Sequence, residues 1–312
     1  MKLGFVGLGK MGRRMAVKLF SEKHQLVVWN RSRGPCELLR EECKKLDSKS
    51  PRLDIAETLT DLVKSLVRPR VIWLMLPAGE ATESVLGTLS ELIEPDDILI
   101  DGGNAHYRDT EERFKRFSDR QIRFLGIGVS GGIIAEKQGY PLMAGGDKTA
   151  YQFIEPILVS LAKPRGGFEY FGIGGAGHFV KMVHNSIEYG IMQSLGEGFE
   201  VLQKAPYKFD LLKVARLYQK GTLVSGFMLD RAVEVFENNP NLESIAGVIA
   251  ESGEARWMIE QAEKEGVEVD IIKRSLDYRK KSQTEEKIQH SFTAKLIAAL
   301  RNAFGGHDMQ RK

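Results

Sequence analysis

The sequence predicts an α/β doubly wound parallel sheet domain followed by an all-α helical domain, and three observations predict it. Short apolar strands alternate with amphipathic helical stretches through the first half. A glycine-rich turn follows the first strand directly, and after Phe171 the strand pattern gives way to helical periodicity. The 312 residues exceed one compact core, so two domains are expected, 1–175 and 176–312.

Strands are expected at Leu3–Val6, Leu26–Trp29, Val71–Leu76, Ile98–Asp101 and Arg123–Val129. Helical patterns at Met11–Phe20, Ala81–Ile93 and Thr110–Phe117 lie between them, the rhythm of parallel strands joined by crossovers. The segment Asp47–Asp54, with its Ser, Lys and Pro, reads as a loop. Gly172–Gly177 reads as a hinge, and from Ala176 a long helix runs to Lys204, stopped near Pro206. Helices are then expected at Leu211–Gln219, Ser225–Glu237, Glu254–Glu265 and Gln283–Ala303.

Composition narrows the function classes. A net charge of +3 argues against a nucleic-acid-binding surface, and 42% hydrophobic with 28% charged residues is ordinary for a globular enzyme. No apolar run approaches the length of a membrane span. Cys36 and Cys43 read as reduced thiols, which fits a cytoplasmic setting. The six histidines show no metal-ligand spacing, so no metal is expected.

Gly7-Leu8-Gly9-Lys10-Met11-Gly12 fits G-x-G-x-x-G between a strand and a helix, the fingerprint of a Rossmann-type dinucleotide site. Gly7 permits the tight turn, Gly9 lets backbone approach a pyrophosphate, and Gly12 lets helix and strand pack closely. The helix N-terminus offers N–H groups to the phosphates. An acidic residue at the end of the second strand would accept bonds from an unmodified ribose. The sequence there is Asn30-Arg31-Ser32, where Arg31 can pair with a 2′-phosphate and its neighbours can donate to it. NADP is therefore expected as the cofactor, with NAD the other nicotinamide nucleotide that fits the turn.

Three further strand ends carry small or polar residues where an open parallel sheet places its ligands: Leu76-Pro77-Ala78, Asp101-Gly102-Gly103-Asn104, and Ser130-Gly131-Gly132. On the long helix, Lys181, His184, Asn185 and Glu188 stand at i, i+3, i+4 and i+7, so one face presents an amine, an imidazole, an amide and a carboxylate. A solvated polar stripe is the plain alternative. The otherwise apolar neighbours favour a stripe that lines a cleft. A lysine withdrawn from water beside a cofactor loses proton affinity and can act as a base near neutral pH.

Asp101–Thr110, Gly128–Gly132 and Gly177–Asn185 together resemble the decarboxylating 6-phosphogluconate dehydrogenases. The similarity runs from residue 1 to about 308, and the length and the Arg301–His307 tail resemble the short-chain branch. The resemblance implies Lys181 as the base at the C3 hydroxyl and Glu188 as the acid that protonates C1, giving ribulose 5-phosphate and CO2 from a phosphorylated sugar acid. It implies Asn104, Ser130, Gly131, Gly132, His184, Asn185 and Tyr189 as sugar-acid ligands. It implies Arg279 as a phosphate ligand, and Arg301 with His307 as a tail reaching a neighbouring subunit, hence a homodimer or homotetramer. The stretch Glu251–Trp257 lacks the Lys and Thr phosphate ligands of the long-chain enzymes, and Arg256 offers a cation there. Ser186 departs from the glycine that commonly follows His-Asn. Two other readings stay open: a 3-hydroxyacid dehydrogenase of the 3-hydroxyisobutyrate type, and a non-catalytic NADP-binding module.

Overall fold

In the computed structural model, residues 1–46 and 53–310 are described. They form two compact units, Met1–Lys181 and Met182–Lys312.

The first unit is built on an eight-stranded sheet in the order β3-β2-β1-β4-β5-β6-β7-β8. Its strands are β1 Lys2–Val6, β2 Gln25–Trp29, β3 Leu53–Ile55, β4 Val71–Leu74, β5 Ile98–Asp101, β6 Arg123–Val129, β7 Leu142–Gly146 and β8 Phe168–Tyr170. All neighbours are parallel except β6 and β7. The crossovers are α1 Lys10–Ser21, α2 Gly34–Leu46, α3 Leu59–Lys64, α4 Glu80–Ser90 and α5 Tyr107–Ser118. Three shorter helices, α6 Ala135–Gln138, α7 Lys148–Phe153 and α8 Glu155–Ala162, follow β6 and β7.

Alternate strand residues feed two cores, as a sheet covered on both faces requires. Leu3, Phe5, Val71, Trp73 and Ile100 pack on one face, while Val6, Ile72, Leu74 and Leu99 pack on the other. Each such side chain withdrawn from water contributes roughly 1.5–3 kcal/mol. Cys36 and Cys43 belong to the first of these cores; burial pushes both thiols up, Cys43 to about 12.

The chain order reverses between β1 and β4, and at such a switch point the strand ends open a crevice for a ligand. The glycine turn leaves β1 there and Leu76-Pro77-Ala78 leaves β4. The five strands expected from the sequence are present, within two residues at their ends.

The second unit is helical. It takes up α9 Ala176–Lys204 from its second turn, then α10 Leu211–Tyr218, α11 Phe227–Asn238, α12 Glu254–Glu265, α13 Asp270–Thr284, α14 Glu286–Gln289 and α15 Phe292–Gly305. Phe199, Phe236, Leu242, Phe292 and Leu296 form its main core.

Three expectations are corrected. Leu53 and Asp54 lie in β3, because pairing with β2 captures them; the rest of the expected loop, 47–52, is outside the described residues. The single helix expected over Gln283–Ala303 is broken. Glu285 leaves the helical conformation, and Ser291 starts a new helix by accepting a hydrogen bond from Ala294 N. The helix Asp270–Thr284, absent from the sequence reading, precedes the break.

Candidate active site

In the first unit the glycine turn separates into two kinds of glycine. Gly7 has φ +94, and a Cβ there would sit 2.4 Å from the Met75 carbonyl oxygen. At Gly12 it would sit 2.1 Å from the Gly7 oxygen, so both are required by the protein's own packing. Gly9 is different. Its φ of −66 suits any residue, and a Cβ would meet nothing within 4 Å. The fold leaves open space at Gly9, as the fingerprint requires for a pyrophosphate approaching the start of α1. The dinucleotide therefore fits the residues present. Lys10 and Met11 open α1, Lys10 exposed and Met11 half-buried.

Asn30 links this turn to the end of β2. Its Oδ1 accepts from Leu8 N at 2.9 Å, and its Nδ2 donates to Ser32 O and Oγ at 3.0 and 3.2 Å. The sequence reading gave Asn30 a direct bond to a 2′-phosphate. The structure shows its amide engaged in shaping the loop. Arg33 is held by Glu37 and Glu57. Arg31 is exposed, with no ion pair among the described residues.

The β5 end is fixed from below. Asp101, only 1% exposed, accepts from Gly103 N at 2.9 Å and from Arg113 Nη1 at 2.7 Å, and Arg113 also reaches Glu83 on α4. This buried pair holds the loop that presents Asn104. At the β6 end, Ser130 is buried and its N–H donates to Pro141 O, while Gly131 has φ +95 and leads into a 3-10 turn, Gly132–Ile134. Lys181, also buried, stands against β6: a Cβ on Gly128 would lie 2.4 Å from the lysine's own Cβ. The strand needs glycine there so that the helix backbone can come this close.

Since α9 is continuous, Lys181, His184, Asn185 and Glu188 do share a helical face. Within the second unit, His184 Nδ1 lies 3.0 Å from Asn185 Oδ1, and Asn185 Nδ2 donates to Glu254 Oε1 at 2.8 Å. Glu254, 2% exposed at the start of α12, thereby holds the expected site residue Asn185, a contact that sequence reasoning missed. Ser186 is accommodated: it is fully buried and its hydroxyl bonds back to Met182 O at 2.9 Å.

Arg279 is 2% exposed, its guanidinium carbon 3.2 Å from the Tyr189 ring centroid, and Arg301 is 6% exposed. Neither has an ion pair among the described residues. Burial lowers Arg279 to about 10, with Arg301 adding to the effect while Tyr189, Glu188 and Glu254 oppose it. Burial lowers Arg301 as well, against the same three neighbours. Two buried cations without a bonded carboxylate are costly unless an anion completes them. Within this chain Arg301 is buried, and His307, expected with it in the tail, is exposed beyond α15. Arg256 is exposed and lies 3.7 Å from Glu251. Among the described residues no His, Cys, Asp and Glu group is arranged to hold a metal ion, and no helix is long and apolar enough to cross a membrane.

Residues 2–175 match the model of the NAD binding domain of 6-phosphogluconate dehydrogenase. Residues 177–289 and 203–312 match that of the 6-phosphogluconate dehydrogenase C-terminal domain. The chain belongs to the 6-phosphogluconate dehydrogenase family. It is 33% identical over 313 aligned residues to the NAD(+)-dependent decarboxylating 6-phosphogluconate dehydrogenase of Haloferax volcanii, covering 100% of this chain and 99% of that protein. It is 34% identical to the NADP(+)-dependent decarboxylating enzyme of Bacillus subtilis over 92% of this chain, but spans only 62% of that longer protein. Among solved structures, Plasmodium falciparum 6-phosphogluconate dehydrogenase superposes with a TM-score of 0.83 at 28% identity, over 92% of this chain and 63% of that one. A Mycobacterium tuberculosis 3-hydroxyisobutyrate dehydrogenase shares the fold, at TM-score 0.72 and 18% identity over 96% of this chain and 99% of that one.

Proposed function

We propose that the protein catalyses the oxidative decarboxylation of 6-phosphogluconate to ribulose 5-phosphate and CO2, with NADP as the preferred hydride acceptor. The buried pair Arg279 and Arg301, with no carboxylate bonded to it among the described residues, carries this reading, because a phosphate dianion matches two cations where a 3-hydroxyacid brings only the single carboxylate of its reacting end. When bound, the nicotinamide ring supplies the acceptor for the hydride leaving C3. Lys181 takes the proton from the C3 hydroxyl. Loss of CO2 from the 3-keto acid leaves its electron pair in an enolate, and the protonated Lys181 stabilises the oxygen. Glu188 then delivers a proton to C1. Asn104, Ser130 with Gly131 and Gly132, His184, Asn185 and Tyr189 orient the sugar acid.

Asn30 and Ser32 act on the cofactor by holding the loop, leaving Arg31 as the cation for a 2′-phosphate. Leu76, Pro77 and Ala78 flank the dinucleotide beside the glycine turn. The protein works in the cytoplasm as a homodimer or homotetramer; Ile187, Ile191 and Val201, exposed along α9, are the apolar side chains a second copy would cover.

Initial rates crossing NADP and NAD with 6-phosphogluconate, gluconate and 3-hydroxyisobutyrate test the proposal. The expected order places NADP with 6-phosphogluconate first. Equal turnover of gluconate would remove the phosphate from the substrate, and faster turnover of 3-hydroxyisobutyrate would move the protein to the other reading.

A further inference from the structure

His178 is a buried imidazole one helical turn before Lys181, and no step of the proposed mechanism uses it. It is 1% exposed. Its Nδ1 lies 2.7 Å from Thr110 Oγ1 on α5, the helix that follows the Asn104 loop. A Cβ on Gly126 of β6 would fall 2.4 Å from Thr110 Cγ2 and 3.0 Å from His178 Nδ1, so strand, helix and imidazole meet at one point. Burial lowers the proton affinity of the ring. Asp101 opposes this, Arg113 reinforces it, and the carbonyls of Gly103 and Ile127 lie near enough to favour a proton. The ring is paired to Thr110 through Nδ1, while its buried Nε2 has no hydrogen-bond partner among the described residues.

We infer that His178 is a positioning residue for hydride transfer, tying the helix turn that carries Lys181 to the loop that carries Asn104. The inference rests on the reading of Lys181 as the base. His178 touches neither substrate nor cofactor in that scheme; it fixes the separation between the base and an amide that orients the sugar acid. A core histidine serving stability alone would have no such selectivity. Removing it would cost folding and cofactor binding along with turnover.

The test uses the full chain with His178→Leu, His178→Asn, Thr110→Val and Lys181→Met. Leucine fills the site without a polar atom, whereas asparagine restores an amide that can pair with Thr110 where Nδ1 does. His178→Leu is expected to lower kcat roughly 100-fold, the scale of a misplacement of about 1 Å at a reacting centre. NADPH affinity and melting temperature should stay close to wild type. Thr110→Val should lower kcat in the same selective way, and His178→Asn should recover most of the loss. Wild-type kcat in His178→Leu would overturn the inference, as would a loss of kcat that tracks lost NADPH binding and lowered melting temperature in all three His178 and Thr110 variants. Turnover surviving in Lys181→Met would instead overturn the base assignment, whatever the His178 variants do. An inactive Lys181→Met beside a fully active His178→Leu would overturn the positioning role alone.

Discussion

The two units differ in what they offer an anion. In the first, the turn Gly7–Gly12 strips side chains away so that backbone N–H groups and a helix start face the ligand. In the second, Arg279 and Arg301 place two long cations out of water with no carboxylate bonded to them among the described residues. A backbone site costs the fold little, because its donors belong to a helix end that needs partners anyway. A buried side-chain site is held under electrostatic strain until its anion arrives. The contrast explains why one site lies in a contiguous hexapeptide while the other needs residues from two helices.

The largest test of this difference is Arg279→Met. The substitution removes an unbalanced buried charge, so the melting temperature should hold or rise while KM for 6-phosphogluconate increases about 100-fold, the scale of a lost charged hydrogen-bonding pair. NADP affinity should not move. A fall in stability with unchanged KM would show the arginine to be purely structural.

The glycine turn offers a sharper pair. Gly12→Ala forces a Cβ against the Gly7 oxygen and should destabilise the protein by more than ~1–3 kcal/mol in thermal or urea unfolding. Gly9→Ala meets nothing in the protein and should leave stability unchanged while weakening NADPH binding about tenfold or more. Equal NADPH binding by Gly9→Ala and wild type, measured by fluorescence titration, would break the assignment of that space to the pyrophosphate.

Arg31→Ala should weaken NADP about tenfold and leave NAD nearly unchanged, as removal of one exposed phosphate contact implies. Parallel losses would place Arg31 away from the 2′-phosphate.

The smallest effect is one of pH. His24 is buried between the Met1 amino group and Ser160, and burial followed by that amino group lowers it to about 4. The folded protein therefore binds its proton less readily than the unfolded chain, whose histidine titrates near 6.5. The stability this provides is complete above pH ~6.5 and is lost as pH falls towards 4. Melting temperatures recorded across that window should decline by a few degrees, and His24→Gln should flatten part of the decline.

The same contrast governs what the sequence revealed. The glycine turn, the alternating strands and the polar face of α9 are local patterns, and each was readable because its period or spacing is contiguous. Glu254 was not, since its partner Asn185 lies 69 positions away and only the packing of α12 on α9 joins them. Asp101 is legible as the end of a strand that faces the ligand edge, but its buried pairing with Arg113, 12 positions on, emerges only when the fold packs α5 beneath the loop. Asn30 was recognised as a cofactor-loop residue, but its hydrogen bonds to Leu8 and Ser32 depend on how the turn closes. The break at Ser291 carried a readable signal, a serine N-cap, that the apolar run after it obscured. Short pairing strands such as β7 and β8, rich in glycine or only three residues long, exist by virtue of their neighbours.

The most direct test supplies carboxyl-labelled 6-phosphogluconate and NADP and counts labelled CO2 against NADPH formed. The roles proposed for Lys181, Glu188, Arg279 and Arg301 predict one labelled CO2 for each NADPH. NADPH formed while the label stays in a keto acid would contradict the account, leaving a dehydrogenase that oxidises a hydroxyacid without decarboxylating it.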